Sequence, residues 1–353
     1  MAKTNKKDER KRRLLFLIFL FMLTVTIGGT ATYAWFTSNR SISVDPLDVN
    51  VTTVNGLQIS ADGVNWSAKV TRADLEGAKT GEYPGATNQL PATLGAVSTS
   101  GRVTAGLLDM YYGRVTTDER TGNYMLTTTK QTEEINCVGD TACAGKYYIA
   151  FDLFIKTDAS AALYIEPGTG ASVTEGSADK GLQNATRIAF VVEGTSDPNA
   201  ATPTVLTMDN ATAANVTIFE PHVDSHTASG VTQSNLYYKK YTNYNAIAAG
   251  SSQPTVSYDG VKAPITSAIE LAQTNATDNA SYFQTVTSVP FTSAFANADT
   301  GQTNYAWYTT AAPFPAGITK VRVYMWVEGQ DVDCENDASG ANLTYKLALT
   351  QNA

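Results

Sequence analysis

The stretch Lys146-Tyr-Tyr-Ile-Ala-Phe-Asp-Leu-Phe-Ile-Lys156 decides the fold class. Side chains alternate between the faces of an extended strand, so Tyr148, Ala150, Asp152 and Phe154 point one way. Tyr147, Ile149, Phe151, Leu153 and Ile155 point the other, and that second face is wholly apolar, as the core of a β-sandwich demands. Working outward, Ala162-Leu-Tyr-Ile165 and Thr186-Arg-Ile-Ala-Phe-Val-Val-Glu193 read as further core strands. The chain then closes with Lys320-Val-Arg-Val-Tyr-Met-Trp-Val-Glu328 and Asn342-Leu-Thr-Tyr-Lys-Leu-Ala-Leu-Thr350. Strong strands at the carboxyl end imply a sheet that needs the whole chain before it closes, a high-contact-order topology that folds slowly.

Weaker period-two signals surround this core. Ser41-Ile-Ser-Val44 and Leu47-Asp-Val-Asn-Val51 alternate as a one-sided strand should, and Val54 to Ser60 reads as a turn and strand followed by the Ala61-Asp-Gly63 turn. Leu107 to Tyr112 and Asn123 to Thr127 read as short strands, and Ala263 to Thr274 as a helix with Ile265, Ile269 and Ala272 on one side. Thr, Ala, Ser, Asn and Gly dominate the chain after residue 40, which suits pleated surfaces and turns. The expected organisation is an export segment over 1–34, the first part of an all-β sandwich over 35–193, a Thr/Ala/Asn/Pro-rich excursion over 194–319 and closing strands over 320–353. The excursion reads either as long loops or as a β-rich lobe.

The first 36 residues form a basic head, an apolar run and a small-residue exit. Seven Lys/Arg lie between Lys3 and Arg13 against only Asp8 and Glu9, and Leu14 to Ile27 holds nothing more polar than Thr24 and Thr26. Basic residues stay on the cytoplasmic side while the run inserts, which places the body outside the cell. Small residues at Thr32 and Ala34 suit a signal peptidase that cuts between Ala34 and Trp35. The competing reading is an uncut anchor through residues 14–36, close to the ~20 residues needed to cross a bilayer. Removing 1–34 takes away seven positive and two negative charges, so the net charge of −8 becomes −13. An acidic body of this kind repels nucleic acid and anionic lipid.

Three cysteines are present. Five residues with a Gly-Asp turn separate Cys137 from Cys143, a spacing that can bring the Cα atoms within the roughly 4.4–6.8 Å a disulfide needs in an oxidising compartment. Cys334 is then left as a buried thiol or a site for an intermolecular bond.

Motifs for chemistry are sparse. His222 and His226 occur in Pro221-His-Val-Asp-Ser-His-Thr227, but Val223 stands where a zinc-peptidase helix needs its Glu, and the flanks read as loop. Asp331, Asp333 and Glu335 alternate in the acidic connector before the last strand. Oxygen ligands there could take Ca²⁺, yet the loop lacks the glycine and the terminal Glu of an EF-hand and reads mainly as a solvated acidic turn. No nucleophile elbow or phosphate-binding glycine loop is visible, so the reading is non-enzymatic with no cofactor. Trp66 and Trp307 could stack on sugars, but packing is their default role.

Gly28-Gly-Thr-Ala-Thr-Tyr-Ala-Trp-Phe36, Ala150-Phe-Asp-Leu-Phe-Ile-Lys-Thr-Asp-Ala-Ser160 with Ala162-Leu-Tyr-Ile165, and Asn342-Leu-Thr-Tyr-Lys-Leu-Ala-Leu349 together resemble the TasA/camelysin-like exported proteins of Gram-positive bacteria. The stretch 194–319 matches nothing in that group. The resemblance implies a jelly-roll β-sandwich, a dedicated signal peptidase, and a subunit of extracellular biofilm-matrix fibres that donates an amino-terminal strand to the next copy. It carries over to Trp35–Val51, with Trp35 as an anchor and Ile42 and Val44 on one side of the donated strand. The alternative is that 41–51 is the first strand of its own sandwich. Two other functions stay open: a surface adhesin binding carbohydrate or protein through 194–319, and a camelysin-like metallopeptidase.

Overall fold

The computed structural model describes residues 42–52, 56–166, 169–175, 182–221, 257–287, 293–296, 303–331, 333–334 and 342–351. They form an all-β sandwich of two large sheets, built around five long strands: β1 (Ile42–Thr52), β2 (Ile149–Thr157), β3 (Thr186–Ser196), β4 (Gly317–Glu328) and β5 (Asn342–Gln351).

In the eleven-stranded sheet β4 is central, antiparallel to β2 on one side and to β3 on the other. All twelve residues of β4 and eight of the nine in β2 are buried. The inner face is the apolar one expected from sequence: Ile149, Phe151, Leu153 and Ile155 lie in register with Met325, Val323, Val321 and Thr319. Phe190 of β3 reaches across, its ring 4.3 Å from that of Trp307 in the other sheet. The Tyr345 hydroxyl of β5 likewise donates to the Trp326 carbonyl at 3.2 Å. Each such fully buried large apolar side chain contributes about 1.5–3 kcal/mol.

The outer face of the same sheet is also covered. Tyr148, Ala150, Ala189, Val191, Tyr324 and Trp326 pack against Val97, Leu108, Met110, Ile218, Tyr258 and Val286. Three of those covering residues come from 194–319: Ile218 from a strand beside β3, and Tyr258 and Val286 from the paired strands Ser257–Val261 and Phe283–Thr287. The turn into β4 depends on Gly317, which has φ +111° and a backbone so close to Ser196 that a Cβ would sit 2.1 Å from its carbonyl oxygen.

In the eight-stranded sheet β5 and β1 run parallel at the centre. The two alternating segments expected near the amino terminus are one strand, with a register shift between Val44 and Leu47. Pro46 lies within that shift and has no N–H to give the ladder. The expected helix over Ala263–Thr274 is not formed. Ile269–Glu270 is a strand on Tyr124–Lys130, and only Leu271–Gln273 turn helically. Pro264 and the two-way bonding of Ile265 with Thr128 hold the chain extended there, which overrides a pattern of apolar spacing. Among the described residues no helix is long and apolar enough to cross a membrane.

Candidate functional site

The predicted assembly strand sits in a fitted seat. Between Asp48 and Thr52, β1 pairs with Lys346–Thr350 of β5, and on its other side with Lys69–Thr71 and, near its start, with Thr93–Leu94. Alternation puts Leu47 and Val49 at zero exposure and Val51 close to it, and the register shift between Val44 and Leu47 changes the phase so that Ile42 is fully buried as well. Within one chain β1 is hydrogen-bonded in its own sheet, where its apolar face finds a matched apolar seat. Ile42 is opposite Leu94, and the backbone of Val44 is opposite Leu343. Trp35 and the Ala34–Trp35 junction lie outside the described residues.

A second constellation was not singled out from sequence. On the outer face of β2 and β4, Asp152 is opposite Arg322, and Lys320 follows two residues before it on β4. The Arg322 guanidinium donates to Asp152 Oδ1 at 2.6 Å and to Glu134 Oε2 at 2.6 Å. The Tyr83 hydroxyl donates to Asp152 Oδ2 at 2.7 Å. Lys320 Nζ lies 2.6 Å from Glu193 Oε2 and 3.6 Å from Asp152 Oδ2, and it donates to the Met208 carbonyl at 3.1 Å. Glu193 reaches this point because the β3 register slips between Val192 and Gly194, a bulge that re-aims the side chain between them. Lys320, Asp152, Glu193 and Arg322 are all nearly fully buried. They border a cleft of about 270 Å³ that is also lined by Tyr83, Thr87 and Asp209.

Electrostatics separates the two carboxyls at Lys320. Burial pushes Asp152 up, but Arg322 and Lys320 outweigh it and hold the group below its ordinary value. Burial and the charge of Asp152 push Glu193 up to about 7. Burial works against the Lys320 charge, yet Asp152 and Glu193 together raise its pKa.

A further buried charge cluster involves the acidic connector. Arg187 of β3 contacts Asp331 at 2.6 Å and Glu220 at 2.9 Å, with all three side chains almost inaccessible. Glu328 is buried beside it, accepting from the Trp326 indole N–H and the Gln330 backbone N–H, each at 3.0 Å. The connector is therefore not a solvated turn over Glu328, Asp331 and Asp333: all three are buried, and Asp331 is committed to a guanidinium. The cause is Arg187, whose buried charge needs carboxylate partners. Glu335, His222 and His226 lie outside the described residues. Among the described residues no group of three or more His, Cys, Asp or Glu is arranged to hold a metal.

Cys137 and Cys143 form a disulfide with Cα atoms 5.2 Å apart, and Cys334 is buried. Trp307 packs against Phe190, Tyr308 and Phe314, while Trp66 lies under the Lys156 ammonium, 5.6 Å from ring centroid to Nζ.

Fold and site together define an all-β sandwich whose first strand fills a central place in one sheet and whose other sheet carries buried ionic clusters. No family model, curated protein or solved structure matches the chain.

Proposed function

We propose that this protein is an exported structural subunit of the cell exterior that assembles by exchanging β1 between copies. The observation that carries the reading is the seat of β1, a groove between β5 on one side and Lys69–Thr71 with Thr93–Leu94 on the other, in which Ile42, Leu47 and Val49 are completely buried. Because β1 is the first described element behind the export segment, it can leave its seat without threading the rest of the chain. A second copy's β1 fits the vacated groove with the same contacts, so exchange changes connectivity without changing local energetics. Head-to-tail repetition that does not close yields a filament. The resemblance to the TasA/camelysin-like proteins supports the same reading, as does the local disulfide, which suits an oxidising compartment.

The test is a reversible lock. Asp48 is opposite Lys346 in the β1–β5 ladder, and the Lys346 side chain is exposed. In an Asp48→Cys/Lys346→Cys variant, oxidation of the monomer should tie β1 to its own sheet and abolish filaments seen by electron microscopy, and reductant should restore them. Wild-type protein carried through the same reductant controls for the native disulfide. Filaments that form equally well from the locked, oxidised monomer would refute exchange.

A further inference from the structure

We propose that Lys320 and Asp152 condense to an amide that ties β4 covalently to β2, with Glu193 of β3 carrying the protons. This inference does not depend on β1 exchange.

Among the described residues Lys320 is the one lysine that is buried. Its amine stands between carboxyls from the two strands that flank β4, 2.6 Å from Glu193 Oε2 and 3.6 Å from Asp152 Oδ2. Neighbouring strands fix these positions, so amine and carboxyl are held together at a high effective concentration. Lys130, by contrast, meets Asp109 at 2.6 Å with its side chain 28% exposed, in ordinary ion-pair surroundings open to water.

The two carboxyls at Lys320 are dressed for different work. Asp152 has a donor on each oxygen, Arg322 on Oδ1 and Tyr83 on Oδ2, which fixes the carboxyl with Oδ2 on the side of Lys320. Arg322 is also placed to hold the negative charge that gathers on Oδ1 when the carbon becomes tetrahedral. Glu193 contacts the amine itself. Its ordinary affinity for a proton is raised to about 7 by burial and by Asp152, so it accepts and returns a proton near neutral pH.

The step balances without any further reagent. Lys320 begins as an ammonium and Asp152 as a carboxylate, and the reacting pair is their neutral form, one proton having passed from Nζ through Glu193 to Oδ2. The nitrogen lone pair attacks Cγ of that carboxylic acid, Glu193 takes the second proton from nitrogen and returns it to Oδ2, the Cγ–Oδ2 bond breaks, and water departs. One amide N–H remains, Glu193 is restored, and nothing is oxidised or reduced. The cleft beside the cluster gives the water a way out. Condensation is uphill for free groups in water, but here it replaces a buried ion pair, costly to desolvate, with a neutral amide in a site poor in water. The product would cross-link adjacent central strands and restrain them against shear.

Intact-mass spectrometry of the exported protein, reduced first so that the Cys137–Cys143 hydrogens are restored, tests the bond. Wild type should weigh one water less than its sequence from the amino terminus found by sequencing, and proteolysis should yield one branched peptide containing both Asp152 and Lys320. Lys320→Arg and Glu193→Gln should each return the full mass. Wild type at full mass, or a missing water that persists in Lys320→Arg, overturns the bond. A missing water that persists in Glu193→Gln overturns the role given to Glu193. Mass reads the linkage even in a variant that folds poorly, and near-ultraviolet circular dichroism of Glu193→Gln separates a lost proton carrier from a lost fold.

Discussion

Replacing Glu328 by glutamine should destabilise the protein at mildly acidic pH and stabilise it at mildly basic pH. Glu328 is fully buried, and burial pushes its carboxyl up to about 7 despite hydrogen bonds from Ser98, Trp326 and Gln330 and the charge of Arg187. The same group in the unfolded chain titrates near 4.5. Between those values the folded protein keeps a proton that the unfolded chain has released, so this group's contribution falls as pH rises from about 4.5 through 7. By pH 8 the loss approaches the full separation, about 3 kcal/mol at 1.36 kcal/mol per pH unit. Glutamine removes that dependence but has only one oxygen for two donors, so either the Trp326 indole or the Gln330 amide goes short. A buried donor left short costs about 1–2 kcal/mol. Wild type has already lost about 0.8 kcal/mol of this contribution at pH 5, so urea unfolding at pH 5, 6.5 and 8 should show Glu328→Gln less stable than wild type by up to about 1 kcal/mol at pH 5 and more stable by about 1–2 kcal/mol at pH 8. Glu193 titrates alike in both proteins and cancels from the difference. Parallel curves, or a wild type that gains on the variant as pH rises, would refute the reasoning.

Three further outcomes follow from the packing. Arg187→Met leaves Glu220 and Asp331 as buried carboxylates without their guanidinium and should cost about 3–5 kcal/mol in a urea titration, whereas a loss below about 1 kcal/mol would mean that the cluster is solvated. Removing the Cys137–Cys143 bridge by a double Cys→Ala change opens a short loop and should lower stability by about 2 kcal/mol on the loop-entropy scale, read from the same midpoints. Gly260→Ala would put a Cβ 2.0 Å from the Thr99 carbonyl oxygen, where the strand Ser257–Val261 covers the outer face of the large sheet. Thermal unfolding should drop by at least the 1–3 kcal/mol typical of overpacking, and an unchanged midpoint would detach that strand from the face.

The long strands were legible because their apolar faces are set by local alternation: β2, β3, β4 and β5 all fall where period two is cleanest. The Cys137–Cys143 bridge was legible because its loop is short enough to close by itself. What was not legible is everything decided by pairing across the chain. Asp152 on an apolar strand, and Lys320 and Arg322 two apart on another, are each visible as charges on one face. Only the β2–β4 register, joining residues 170 apart, shows that they share a buried site. Glu193 adds a bulge that no composition announces. The acidic connector read as solvated because its cation, Arg187, lies 144 residues earlier. Ala263–Thr274 failed for the converse reason: helical spacing of Ile265, Ile269 and Ala272 was overridden by edge pairing to Tyr124–Lys130. The first strand was correctly placed as a strand, while its partner was open, since alternation specifies a face and leaves the neighbour unspecified.

Cross-linking between two singly substituted proteins tests strand exchange most directly. One protein carries Asp48→Cys and the other Lys346→Cys, the residues opposite each other in the β1–β5 ladder. Mixed, allowed to assemble and then oxidised, they should give a disulfide-linked heterodimer in the filament fraction and none from either protein alone. Filaments that form from the mixture yet contain no such heterodimer would contradict the exchange of β1.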